Sequence, residues 1–64
     1  MSEKELITEF LLAAEQGNAD GFKSCLVKNV DINATNRQGR TAIIIASLNK
    51  HYDCVSLLIA EGAD

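Results

Sequence analysis

The sequence predicts an all-α fold of two helix-turn-helix units joined by a projecting β-turn finger, and three observations carry that prediction. Apolar residues recur at helical spacing in four short segments separated by cap and turn residues. A stretch rich in Asn, Asp and Gly, residues 29–39, divides the second segment from the third. The chain also matches itself at an offset of 33 residues, the mark of a repeat architecture in which each unit buries its apolar face on the next.

Ser2 with Glu5 three residues later forms a capping box, so a first helix is predicted to begin near residue 3 with two of its free N–H groups satisfied. Leu6, Ile7, Phe10, Leu11, Ala13 and Ala14 make its apolar face, and Glu3, Lys4, Glu5 and Glu9 its solvent face. Glutamates near its start also suit the helix dipole. Gly17 can take positive φ and should end this helix, and Asn18 can cap the next. From Ala19 to Lys28 the apolar positions are Phe22, Cys25 and Leu26, a thin stripe, and Gly21 inside it reads as a mild cost. Residues 29–39 suit a turn-rich finger, with Asn33 placed to bond finger backbone. Thr41 is predicted to cap a third helix through Leu48, and a fourth runs from about Tyr52 to Ala60 with Gly62 at its C′ position.

At the 33-residue offset Thr8 falls on Thr41, Ala13 on Ala46, Asp20 on Asp53 and Asp31 on Asp64. Apolar positions coincide as well: Phe10 with Ile43, Leu12 with Ile45, Phe22 with Val55, Cys25 with Leu58, Leu26 with Ile59. The run Gly39-Arg40-Thr41-Ala42-Ile43-Ile44-Ile45-Ala46-Ser47 resembles the G-x-T-P-L-H-x-A-A pattern of ankyrin repeats. Val55, Leu57, Leu58, Gly62, Ala63 and Asp64 then continue it as V-x-L-L-x-x-x-G-A-D. The resemblance covers nearly the whole chain and implies an ankyrin-type α-solenoid. It divides the chain into a degenerate, capping-like N-terminal repeat at 1–30 and a second repeat at 31–64.

Three departures from the family pattern carry expectations of their own. Ala42 stands where the family usually has Pro, which removes a pre-set φ without adding a clash. Ile44 replaces the usual His, so the link between repeats is expected to be apolar packing. Lys50 occupies a position where glycine and positive φ are expected, at a cost of about 1 kcal/mol, with Asn49 available to absorb the strain.

Size and composition set outer limits. At 64 residues the core is small, and with three aromatic residues and no Trp, aliphatic and Ala packing must carry the fold. A net charge of −3 argues against sequence-independent nucleic-acid binding, which needs a basic patch. The longest apolar runs, Phe10 to Ala14 and Ala42 to Ala46, are five residues, against about 20 for a membrane span. The acidic start Met1-Ser2-Glu3-Lys4-Glu5 is unlike a secretory leader, so a cytoplasmic chain with Met1 as its true start is expected. In that compartment Cys25 and Cys54, both at helical apolar spacing, read as buried thiols rather than a disulfide.

No catalytic, metal or cofactor residue is assigned. His51, Asp53 and Cys54 are close in sequence but lack the paired spacing of a zinc site, and His51 reads as a cap at the start of the fourth helix. Glycines 17, 21, 39 and 62 follow no phosphate-loop spacing. Asn33-Ala34-Thr35 matches a glycosylation acceptor, which means little without a leader.

The resemblance implies a non-enzymatic scaffold for protein–protein interaction, with the finger and the exposed side of the inner helices as its recognition surface. Carried over by position, that surface is Glu15, Gln16, Thr35, Arg37, Gln38, Arg40, Leu48 and Asn49. Arg37 and Arg40 suit an acidic partner surface, because arginine offers five donors in a fixed fork. A structural role is the alternative. Glu15, Lys23 and Ser24 of the first repeat become Leu48, Ser56 and Leu57 in the second, which makes a polar front and an apolar back. Leu48, Leu57 and Leu58 are therefore expected to stack on further repeats of a longer array or on another copy of the chain.

Overall fold

A computed structural model describes residues 2–62. It contains four helices, α1 (Glu3–Gln16), α2 (Ala19–Val27), α3 (Ala42–Leu48) and α4 (Tyr52–Ala60), each within two residues of its sequence-predicted bounds. α1 packs on α2 and α3 on α4 as two hairpins; α1 also meets α3, and α2 meets α4, so the hairpins stack with inner helices on inner and outer on outer. Met1, Ala63 and Asp64 lie outside the described residues, and with them the expectation placed on Met1 and the Ala63-Asp64 end of the repeat pattern.

The core sits between the two hairpins. Phe10, Ala14, Phe22, Ala42, Ala46, Cys54 and Leu58 are wholly enclosed, with Ala13, Cys25, Val30 and Ile45 nearly so. Small residues on the inner helices let α1 and α3 approach closely, and Phe10 and Phe22 fill the space behind them with stacked rings 4.5 Å apart at 24°. Both cysteines are free thiols buried in this cluster.

The 33-residue offset reappears in the backbone. Gly17 (φ 70) ends α1, and Lys50 (φ 61) occupies the matching joint after α3. At the first joint Asn18 N donates to Ala13 O at 3.0 Å, and at the second His51 N donates to Ala46 O at 2.8 Å. The outer helices end alike: Asn29 (φ 60) and Gly62 (φ 87) take left-handed conformations, and their N–H groups each reach a carbonyl three residues back at 3.0 Å. Lys50 thus bears the strain itself. Asn49 stays at φ −94 and instead uses its Nδ2 to donate to Ile45 O at 2.9 Å.

Several local expectations need correction. Of the capping box, the bond from Glu5 N to Ser2 Oγ is present (3.3 Å), and among the described residues its reciprocal partner is not. Asn18 does cap α2, accepting from Gly21 N at 3.1 Å. A Cβ on Gly21 would lie 2.7 Å from Asn18 Nδ2, so this glycine makes room for the cap. Thr41 stands at the N-cap of α3 in extended conformation, opposite Thr35 in an antiparallel bridge, but makes no side-chain cap bond. At the base of the finger, Asp31 rather than Asn33 supplies a side-chain acceptor, with Asp31 Oδ1 receiving Asn33 N at 3.0 Å.

Candidate protein-interaction surface

The finger between α2 and α3 owes its shape to Asn36. Asn36 N donates to Arg40 O at 2.9 Å, and Asn36 O accepts from Gly39 N at 3.0 Å. Asn36 Oδ1 accepts from Gln38 N (2.9 Å) and Arg40 N (3.0 Å), so one side chain and one carbonyl hold the whole tip. Gly39, at φ 76, supplies the left-handed residue that closes the turn. Thr35, Arg37, Gln38 and Arg40 are all exposed around this frame.

Glu15, Gln16, Leu48 and Asn49 are exposed at the C-terminal ends of the inner helices. That end of α1 is tied to the second hairpin by His51, whose Nε2 lies 3.0 Å from Glu15 O. His51 therefore makes no cap bond for α4, although it stands at the N-cap position. The link between repeats is not apolar packing alone: an imidazole from the turn after α3 takes part where Ile44 cannot. The ring also lies against Gly17, whose missing Cβ leaves the space it occupies.

Two concavities separate the predicted residues. A groove of about 640 Å³ runs between α1 and the finger and brings together Glu15, Thr35 and Arg37. Its floor is Ile7, Leu11, Leu12 and Ile45, and its rim adds Lys4, Thr8 and Asn36, none of them assigned to a site from the sequence. Gln16 faces a smaller hollow of about 200 Å³ between α1 and α2. Gln38, Arg40, Leu48 and Asn49 line neither. The missed wall had a signal. Ile7 and Leu11 belong to an apolar stripe wider than one packing contact requires, and both stay half-buried.

Of the residues predicted to stack, Leu48 is 59 % exposed and Leu57 partly covered, whereas Leu58 is completely enclosed and joins the hairpins from inside. The end face beyond α3 and α4 is nonetheless apolar. Ile44 (44 %) and Ile59 (61 %) are exposed, while their counterparts Leu11 and Leu26 are partly buried.

The chemistry-bearing groups near the turn do not converge. His51 is engaged with Glu15 O, Asp53 is exposed, and Cys54 is buried. Burial pushes the Cys54 thiol above its ordinary range, with the Asp53 carboxylate adding to the effect. Cys25 is raised by burial and then by Glu9, with Lys28 opposing. Both thiols therefore stay protonated, and the thiolate is the reactive form. No helix among the described residues is long and apolar enough to cross a membrane.

The family described as ankyrin repeats (many copies) matches residues 10–59, which takes in all of α2 and α3, the finger, the second half of α1 and most of α4. The chain belongs to the ankyrin-repeat family. This ankyrin-repeat chain is 55 % identical over 64 residues to the ankyrin repeat protein YahD of Escherichia coli (strain K12), and it covers 32 % of that protein. It is 37 % identical over 54 residues to human mitochondrial disaggregase, a match covering 84 % of this chain and 8 % of that one. Inversin of Danio rerio is 40 % identical over 57 residues, 86 % of this chain and 6 % of its own. The chain thus spans about a third of the length of YahD and under a tenth of the other two. Ankyrin repeats generally mediate protein–protein interaction as non-catalytic scaffolds.

Proposed function

We propose that this chain is a non-enzymatic protein-interaction scaffold whose recognition surface is the finger and the exposed side of its inner helices. The observation that carries the reading is the finger itself: Asn36 and Gly39 hold its outline, while the side chains of Arg37, Gln38 and Arg40 are exposed and make no hydrogen bond among the described residues. A fixed frame suits recognition, because the backbone that carries these side chains is already ordered before binding. Two guanidinium groups on the tip favour a partner with surface carboxylates. For a partner isolated by cross-linking to this chain, Arg37→Ala with Arg40→Ala is expected to weaken affinity about tenfold, as truncating a hot-spot arginine does. Unchanged affinity in titration calorimetry would remove the arginines from the site.

A second reading, a stacking unit for further repeats or a second copy, is favoured by the exposed Ile44, Leu48 and Ile59. In it, residues 1–30 are the polar front and 31–64 present the face that is covered. The urea midpoint of the isolated chain should then rise between two protein concentrations about a hundredfold apart, because association adds to stability by mass action. A midpoint that stays constant would mean that no second copy covers this face.

A further inference from the structure

The groove between α1 and the finger meets the finger at its edge. Thr35, in the bridge, and the next two residues, Asn36 and Arg37, all line it. Residues 38–41, which make up the rest of the turn and the returning segment, do not line it. Thr35 and Thr41 oppose each other in the bridge, and the adjacent bond runs from Asn36 N to Arg40 O. They are thus a pair that exchanges no hydrogen bonds, and the N–H and C=O of Thr35 turn away from Thr41, outward on the groove side.

The opposite wall is α1. Half-buried Ile7 and Leu11 face the groove from it, and Lys4 stands on its rim. The chain as a whole carries −3, yet here Lys4 and Arg37 outnumber the single carboxylate of Glu15. A free backbone edge, an apolar wall and a local excess of positive charge together suit an extended acidic segment bound by strand addition.

The geometry points to this groove as a docking site for an extended peptide segment of a partner protein, added as a strand along Thr35 with apolar side chains on α1 and carboxylates at Lys4 and Arg37. The inference rests on the protein-interaction reading and specifies the mode of recognition. A fluorescein-labelled six-residue peptide of alternating Asp and Leu is the probe, measured by anisotropy. It should bind at least tenfold more tightly than the same peptide with Lys for Asp, and Lys4→Glu with Arg37→Glu should invert that order.

Two further peptides, N-methylated on odd or on even residues, change nothing in the protein and block one strand edge each. One of them should lose at least tenfold in affinity and the other little. Equal binding by both and by the parent would overturn strand addition, and so would absence of binding at millimolar peptide by chain whose helical circular dichroism is intact. If no peptide binds while a cross-linked partner still depends on Arg37 and Arg40, the strand-addition site is wrong and the interaction surface stands.

Discussion

Phe22→Ala should leave the chain largely unfolded at 25 °C. A domain of this size has roughly 0.05–0.15 kcal/mol of stability per residue, only a few kcal/mol in all. Truncating a fully buried Phe costs about 3–5 kcal/mol. Phe22 has no exposed surface, and its ring stacks on Phe10 with centroids 4.5 Å apart, so the loss includes an aromatic pair as well as a void. Four of the eleven residues in the buried cluster are alanines, whose side chains are too short to move into such a void. Helical circular dichroism at 222 nm reads the result, and a native signal with an unchanged urea midpoint would show that the stacked pair is not the centre of stability. Phe22→Leu, which keeps most of the volume, should retain the fold with a lowered midpoint.

Gly17→Ala should cost about 2–3 kcal/mol, more than a surface turn position ordinarily does. Part is the left-handed conformation, about 1–2 kcal/mol for a residue with a Cβ. The rest comes from His51, because an added Cβ would lie 2.5 Å from Nδ1 and 2.8 Å from Cγ. The ring must shift to make room, which disturbs its contact with Glu15 O at 3.0 Å. A lost hydrogen bond of this kind costs about 0.5–1.5 kcal/mol. The two parts separate in a double-mutant cycle: in a His51→Ala background, Gly17→Ala should show only the conformational part. Strict additivity of the two substitutions in urea unfolding would mean that the ring and the turn are independent.

What could be read from the sequence was what depends on a few neighbouring residues. Gly17 ends α1 and Asn18 caps α2 because a left-handed joint and an Asx oxygen need no partner beyond three or four positions. Asn29 likewise substitutes for Gly62, being short and polar enough to tolerate positive φ. Contacts that depend on stacking were not legible. His51 and Glu15 are 36 residues apart, and their meeting follows from how close α1 comes to the turn after α3. Leu57 and Leu58 looked alike, yet neighbouring helical positions lie about 100° apart, which puts one toward the end face and the other in the core. The groove was missed for a related reason. An apolar stripe shows which side of α1 avoids water, and the finger decides how much of that stripe remains accessible.

The finger separates form from display. Its outline is set by one amide oxygen, one carbonyl and one glycine, whereas the side chains at 37, 38 and 40 point away from that frame without bracing it. Those three positions can therefore change identity, charge or size while the backbone that carries them keeps its path. If the finger is the recognition surface proposed above, its specificity can drift without eroding the stability of the stack beneath it, provided residues 36 and 39 are left alone.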